Sequence, residues 1–565
     1  MKDTKEKIKE ELKIRDIDII SILYDRFKEK TVEYIKENPY ELGHFINIDI
    51  NAVKGIIKNL YPKDERINLI AFYIIFILEM NKSNNGHVFV YENDLFNDCN
   101  ERIKGVSDSE FKKSLSLLEN KKAIVIDESY IYLQELYQAE VSLSEMIAEK
   151  SNKKTGINKR EAELFVDSYV DFQLNKEQKQ AVLMALTNKI SIISGNAGTG
   201  KTTVIRAIVD GFKKFMDNND IKLVSLSGKA VRRIEESTNL KAYTIHSLLN
   251  DKKKISADIL FIDEASMVGL QLFEKLLSAL KRDCIIVITG DVKQLSSIES
   301  GQVFNDLIQS GIIKNTKLTQ IVRQTNDNII IENANKIGEG KGIEKGGVKL
   351  KKGQFEFYEC ESKEINTKVV ERIISLLNDK HSIYDIQVIA PQKQNNGTIE
   401  LNRSIGEAFN KPVVSELKRK DIDFVVLDPV IQNINNYKRG IFNGQKGSIS
   451  GMKNKNDGNI DELTVTFDND RDVVYKDEEI NELELAYALT VHKMQGSEEK
   501  TIIFTVSPKH KNLNRNLIYT AVTRAVERVI VVGDKETFNN AVAKENRVRN
   551  SNLINRLQEV HCTTV

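Results

Sequence analysis

Apolar positions recur at three- and four-residue spacing through residues 1 to about 85, as in "IISILYDRFKEKTVEYIKE", and that period predicts helices. Further on, "SDSEFKKSLSLLENKK" opens on Ser107 with Glu110 three positions later, a capping box, and is followed by "AIVID" and "YIYL", two short strand-like runs. Helix plus hairpin fits a winged helix, or equally a plain helical cap carrying a hairpin. The lysine-rich stretch "EKSNKKTGINKR" reads as a linker. From about residue 172 the texture changes to short continuous apolar runs between helical segments: "ISIIS", "KLVSL", "ILFID" and "IIVIT", then "IQVIA", "TIIFTV" and "VIVVG". Uninterrupted runs predict strands buried on both faces, hence parallel sheets covered by helices. Two groups of such strands predict an α/β chain with two α/β domains. Residues 428–481 instead alternate ("LTVTF", "DVVYK") around glycine turns, which predicts a small β-barrel inserted in the second. The expected divisions are 1–85 helical, 86–150 winged-helix-like, 172–320 the first α/β domain and 321–565 the second.

A length of 565 residues, at roughly 150 per domain, agrees with about four units. A content of 41% hydrophobic and 29% charged residues suits a globular chain rather than extended disorder. Net charge is +1, so any nucleic-acid surface must be a local patch. Cys99, Cys284, Cys360 and Cys562 are far apart and form no CxxC pair, which argues against zinc, an iron-sulfur cluster or a disulfide framework. The start "MKDTKEKIKEELK" lacks the apolar core of a secretory signal, and no run of 18 apolar residues follows. A cytoplasmic protein without a membrane partner is expected.

The chemistry concentrates at "ISIISGNAGTGKTT". Wrapping a phosphate chain with backbone N–H groups requires little side-chain bulk, and Gly195, Gly198 and Gly200 supply it. The spacing is G-x-x-x-x-G-K-[ST], with Lys201 placed for the β- and γ-phosphates and Thr202 for Mg²⁺. Strand before and helix after put the phosphates at a helix N-terminus, so Gly195, Asn196, Ala197, Gly198, Thr199, Gly200, Lys201, Thr202 and Thr203 are expected to bind a nucleoside triphosphate. The run "ILFI" ends in Asp263 and Glu264, two carboxylates at the carboxyl end of a strand, where ligands of open α/β sheets bind. Asp263 would serve Mg²⁺ and Glu264 would orient or deprotonate the attacking water, making the chain an ATPase.

Around these lie, in order, "LNKEQKQAV", "SLSGKAVRRI", "YTIHSLL", "DEASM", "TGDVKQLSSIESGQVFNDL", "LTQIVRQT", "LAYALTVHKMQGSE" and "LIYTAVTRA". The series resembles superfamily 1 helicases, and within them the RecD-like group that moves 5' to 3' on DNA, over about residues 172–538. The resemblance implies two RecA-like domains with an SH3-like barrel in the second. It implies that Gln178 reads adenine, that Gln294 senses the γ-phosphate, and that Arg323 and Arg524 are arginine fingers that engage when the cleft closes. It places Ser227, Lys229, Thr244, His246, Asn443, Thr490, His492 and Lys493 along single-stranded DNA, with Phe442 and Tyr437 as candidate stacking faces. For His246 and His492, a buried, hydrogen-bonded core histidine is the competing reading. At the N-terminus, "ENPYELGHFINIDINAVKGII" is similar to that group's helix-hairpin-helix, in the form that acts without nuclease subunits.

The chain departs from the pattern in three places. Asn47 and Asp49 stand near a turn that normally uses glycines, so a structural role is expected rather than duplex grip. Leu226 replaces the usual proline of "SLSGKA". Between "TIH" and "DE" only about eight residues, Asn250 to Ala257, are left for a strand-separating pin, too few for a hairpin. Lys252, Lys253 and Lys254 there are either phosphate contacts or a solvated loop. The expectation is an intact motor on single-stranded DNA and its duplex junctions, as a monomer, with weak unwinding or a wedge from the N-terminal region or a protein partner. Alternatives are an RNA-acting superfamily 1 helicase and an ATP-gated nucleic-acid-binding module.

Overall fold

The computed structural model describes residues 2–12, 17–171, 173–216, 219–250, 254–321, 329–343, 347–409, 417–419, 422–436, 439–454, 460–467, 471–545 and 548–564. The first group of apolar runs builds a six-stranded, wholly parallel sheet in the order Ala242–Thr244, Ile221–Ser225, Ile259–Ile262, Ile285–Gly290, Ile190–Gly195, Asn315–Leu318. All of Ile190–Gly195 and Ile285–Gly290 is buried, as central parallel strands with helices on both faces require. The two strands that patterning missed, Ala242–Thr244 and Asn315–Leu318, are the sheet's edges; a partly solvated edge needs no continuous apolar run.

The second sheet is five-stranded and parallel: Phe355–Glu359, Ala525–Gly533, Glu499–Val506, Ile386–Ala390, Ala488–Thr490. Between its last two neighbours the chain departs to form a five-stranded antiparallel sheet, Arg471–Lys476, Ile460–Phe467, Lys446–Asn454, Pro429–Gln432, Leu483–Leu485. This insertion has its own core of Val430, Ile449, Leu463, Val465, Phe467 and Tyr475. Its three-residue closing strand is too short to show an alternation, so the sheet runs past the expected end at residue 481.

In the N-terminal region the helix Glu65–Met80 is buried continuously from Ile70 to Glu79, because neighbours cover it on all sides. The capping box forms: Ser107 Oγ accepts from Glu110 N at 3.3 Å and Glu110 Oε2 accepts from Ser107 N at 2.9 Å. Strands Phe89–Tyr91, Tyr130–Leu133 and Ile124–Asp127 make a small antiparallel sheet beside helices Glu92–Ile103 and Asp108–Asn120. Asp49 caps the helix Ile50–Leu60, accepting from Asn51 N at 2.9 Å. Between Thr244 and Ile259 the described residues hold the helix Ile245–Asn250 and a single bridge at Ile255, and no strand pair. Lys252 and Lys253 lie outside the described residues, and Lys254 is exposed. Among the described residues no helix is long and apolar enough to cross a membrane.

The lysine-rich linker is docked: the helix Gln134–Ser151 runs into it, Lys150 Nζ donates to the carbonyl of Cys284 at 3.1 Å, and Lys154 bridges Asn188. One expectation on organisation needs correction, since the chain does not stay with the second sheet to residue 565. The helix Leu553–Thr564 packs on Gln134–Ser151 and Val303–Ser310 instead, burying Leu553 and Leu557. One continuous core joins the N-terminal region, a face of the first sheet and this last helix.

Candidate nucleotide-binding site

Strand Ile190–Gly195 delivers the glycine-rich loop onto the N-terminus of helix Lys201–Phe215. Gly198 and Gly200 both sit at φ +79°, left-handed backbone that favours glycine. A Cβ on Gly195 would come within 2.6 Å of Thr199 Oγ1. Lys201 Nζ donates to the carbonyls of Gly195 at 2.8 Å and Asn196 at 3.4 Å. Gln178 is buried beneath the loop, with its Oε1 accepting from Asn175 N at 3.1 Å and its Nε2 donating to the Thr199 carbonyl at 3.1 Å. Its amide braces the phosphate loop and is not part of the cleft lining.

The cleft itself, about 260 Å³, is lined by Asn196 through Thr203 together with Asp263, Glu264, Gln294 and Arg524, so the structure gathers these residues from four distant stretches of sequence. Asp263 is hydrogen-bonded by the Thr289 hydroxyl, and its carbonyl by Ser225 Oγ at 3.2 Å. Burial first, and then the neighbouring Glu264, push the Asp263 carboxyl above its ordinary range, while Lys201 opposes them. Glu264 sits at φ +52°, an uncommon conformation for a glutamate. Its Oε2 and the Oε1 of Gln294 are buried acceptors without a hydrogen-bond partner among the described residues. Such orphans at a cleft are suited to a bound water or ligand. The hydroxyl of Thr202 and the carboxylate of Asp263, both hard oxygen donors on the lining, fit Mg²⁺.

From the second sheet, Arg524 enters the lining buried at 3% exposure. Its guanidinium donates to the Thr520 carbonyl at 3.1 Å, the Ser497 carbonyl at 3.2 Å and Thr523 Oγ1 at 3.2 Å, all neutral acceptors. Arg323 lies outside the described residues.

Residues that sequence reasoning missed complete the cleft. Tyr519 donates to Asp291 Oδ2 at 2.8 Å and accepts from the phosphate-loop Ala197 N at 3.2 Å, joining the two halves. Asn196 Nδ2 donates to Asn335 Oδ1 at 2.7 Å, a second crossing. Arg233 lines the cleft and pairs with Glu498 at 3.0 Å. The available signal was position: Tyr519 and Glu498 stand inside the quoted stretches "LIYTAVTRA" and "MQGSE".

The residues expected along single-stranded DNA scatter more. Thr490 and Lys493 share a groove of about 680 Å³ with Lys393, Asn402 and Arg403, and Lys493 pairs with Glu484 at 2.6 Å. Lys229 lines a different groove, with Lys446 and Tyr487. Ser227 Oγ caps its helix by accepting from Ala230 N at 3.2 Å, and Thr244 Oγ1 accepts from Ser247 N at 3.1 Å. His246 and Asn443 are exposed, which excludes a core role for His246. His492 is half-buried, and burial, with help from Arg549, holds its imidazole below the ordinary range, so it is neutral at pH 7. Phe442 is half-buried, its Cβ within 3.7 Å of the Cβ position of Gly228, and Tyr437 lies outside the described residues.

Residues 173–358 match a family model described as an AAA domain, and residues 485–532 one described as a UvrD-like helicase C-terminal domain. The "ATP-dependent RecD2 DNA helicase" of Deinococcus radiodurans is 29% identical over 453 residues, covering 77% of this chain and 60% of that protein, so the chain spans less than two thirds of that relative's length. The "RecBCD enzyme subunit RecD" of Buchnera aphidicola is 26% identical over 571 residues, covering 82% and 93%. Among solved structures, Bacteroides Pif1 bound to single-stranded DNA matches with a TM-score of 0.42 and 17% identity, covering 66% of this chain and 95% of that one. With two parallel sheets meeting at this cleft, and the two family models matched in this order along the chain, the chain is similar to RecD-like helicases of superfamily 1.

Proposed function

We propose that this chain is an ATP-driven motor that moves 5' to 3' along single-stranded DNA and opens duplexes, hydrolysing ATP between its two parallel sheets. The observation that carries the reading is a single cleft in which the phosphate loop, Asp263, Glu264 and Gln294 from one sheet face Arg524 from the other. In this mechanism the loop amides and Lys201 hold the β- and γ-phosphates at the helix N-terminus. Thr202 and Asp263 would hold Mg²⁺, which supplies charge neutralisation at the transferring phosphoryl group. Glu264 takes a proton from the attacking water, and Gln294 positions that water or the γ-phosphate. Arg524, bound among the described residues to neutral oxygens, exchanges them for phosphate oxygens as the cleft closes. Arg323 is assigned the same role from its motif. Because Tyr519 and Asn335 already bridge the halves, closure is a small rearrangement of an existing contact.

DNA is the proposed track because the Deinococcus relative is named a DNA helicase, and Thr490, Lys493 and the cations beside them form its best-supported stretch. With so short a path from Thr244 to Ile259, strand separation is assigned to the N-terminal region or to a protein partner. The test is strand displacement from duplexes bearing a 5' or a 3' single-stranded tail, with ATP hydrolysis followed in parallel. Separation from the 5' tail only, lost in Glu264→Gln with a fall in turnover of about 10²- to 10⁴-fold, is expected. ATP hydrolysis stimulated by RNA and not by DNA would overturn the DNA reading, and separation from the 3' tail would overturn the polarity.

A further inference from the structure

The chain beyond the second sheet's last helix, Lys535–Ala543, returns to the other side of the molecule, and its first residues there meet the loop that follows Gln294. Arg549 is the centre of this joint. Its guanidinium makes four hydrogen bonds to one short loop: Nη1 donates to Ser297 Oγ at 3.0 Å, the Glu299 carbonyl at 2.8 Å and the Gly301 carbonyl at 2.7 Å, and Nη2 to the Ser297 carbonyl at 2.6 Å. The planar head lies against Gly86, where a Cβ would fall 2.5 Å from Arg549 Cζ. Nη1 and Nη2 together offer four N–H donors to this set of acceptors, one of them shared between two oxygens, where an ammonium would offer three from a single point.

The loop so held is connected in both directions. Toward the cleft, Leu295 N donates to Thr520 Oγ1 at 2.9 Å, and Asn516 Nδ2 donates to the Gln294 carbonyl at 3.1 Å. Both acceptor and donor there stand on the helix Arg515–Val522, shortly before Arg524. Toward the N-terminal region, Gly301 N donates to the Gly86 carbonyl at 2.9 Å and Ser300 Oγ to the Lys82 carbonyl at 3.4 Å. Next to Arg549, Asn550 adds a strand-like clamp: its N donates to His87 Nδ1 at 2.9 Å, its carbonyl accepts from Val88 N at 2.8 Å, and its Nδ2 reaches the Phe89 carbonyl at 3.3 Å. The segment is then anchored by Arg556, whose Nε pairs at 3.0 Å with the wholly buried Glu140.

We propose that Arg549 is a positioning residue that couples closure of the nucleotide cleft to the N-terminal region, by locking residues 297–301 and residues 86–89 into one unit. The proposal rests on the ATPase reading above and adds a route by which that region would move with each nucleotide. Any shift of the Gln294 loop against the second sheet is then delivered to the strand Phe89–Tyr91 and the small sheet behind it. Coupling of this kind needs a contiguous element that both sites bias, and the Arg549 joint supplies one.

The test is amide hydrogen exchange on the full chain, with and without ADP plus aluminium fluoride and Mg²⁺, in the wild type, Arg549→Ala, Arg549→Lys and Gly86→Ala. The wild type is expected to slow exchange both in residues 195–203 and in residues 82–91 on adding nucleotide. In Arg549→Ala the response at 195–203 persists and the response at 82–91 disappears. Arg549→Lys, which keeps the charge but not the fork, loses most of it, and Gly86→Ala does the same from the opposite side of the contact. Base pairs opened per ATP hydrolysed should fall at least 5-fold in Arg549→Ala. If residues 82–91 respond to nucleotide equally in Arg549→Ala and the wild type, or do not respond in the wild type while 195–203 do, the proposal is overturned. If neither segment of the wild type responds, it is the nucleotide-binding reading that falls, and the coupling with it. Should Arg549→Ala fail to fold, the Lys and Gly86→Ala variants decide the same question.

Discussion

The two parallel sheets look alike in strand direction and differ in what surrounds them. One face of the first sheet shares a single core with the N-terminal region and the last helix of the chain. The second sheet has separate cores on its two faces, and its inserted antiparallel sheet keeps a third to itself. Placement of the chemistry follows the same division. The phosphate loop, both carboxylates and Gln294 lie on the first sheet, while the second lends Arg524 and Tyr519. A reaction centre that must stay put is built on the half that is braced from outside. The other half brings groups that reach across to it, Tyr519 to Asp291 and Ala197 and Asn335 to Asn196.

Changes at the contact should therefore stop turnover and leave the fold, whereas changes in the shared core should do the reverse. The largest effect expected is from Arg524→Ala. An arginine finger is worth about 10³ to 10⁵ in rate, roughly 4 to 7 kcal/mol, so kcat should collapse while thermal unfolding is little changed. A parallel loss of fold would mean that Arg524 holds the second sheet together instead.

Arg556→Ala addresses the braced half. It removes the cationic partner of Glu140, which is 0% exposed and keeps hydrogen bonds from Ser551, Asn552 and Tyr132, and breaking a buried pair from one side costs about 3–5 kcal/mol. Calorimetry should show the unit containing the N-terminal region and first sheet melting earlier, with the second sheet unaffected. A uniform downward shift would instead show that the two halves unfold as one.

Tyr519→Phe is milder, because it removes one hydroxyl that bonds both Asp291 and Ala197 N. Leaving those partners unsatisfied costs about 1–3 kcal/mol, and the expected result is a raised KM for ATP measured without DNA. An unchanged KM would indicate that the halves do not meet through this residue.

The smallest effect concerns Asp306, 1% exposed on the helix Val303–Ser310 beneath the C-terminal segment. Burial pushes its carboxyl up to about 7, with Glu140 adding to the rise. A carboxyl raised in the folded state contributes stability that is complete below its unfolded value near 3.9 and is lost as the pH climbs through about 7. Comparing melting temperatures of wild type and Asp306→Asn from pH 4 to 9, the gain from asparagine should grow up to about pH 7 and then level off. A constant difference across that range would show that Asp306 does not titrate there.

Much of this was legible in the chain because the signals are local. A strand, a glycine-rich turn and a helix N-terminus follow one another within residues 190–203, so the phosphate loop needs no partner to be recognised. Central parallel strands announce themselves by unbroken apolar runs, and edges such as Asn315–Leu318 do not. The capping box at Ser107 is likewise a contract between near neighbours.

What the sequence by itself determined, then, is the α/β class and the stretches that line the cleft from the first sheet, the glycine-rich loop with Asp263 and Glu264; Arg524, which lines it from the second, came from the motif resemblance. The class and those stretches follow from short-range periodicity and from residue types whose spacing is dictated by the ligand. The tertiary structure alone decided that Gln178 braces the loop from below, that Lys229 and Lys493 fall in different grooves, that Tyr519 ties the halves, and that the C-terminal residues close back on the N-terminal region. Each of these depends on which surfaces far apart in the chain come into contact, and the periodicity of one segment carries no record of the segment it will meet.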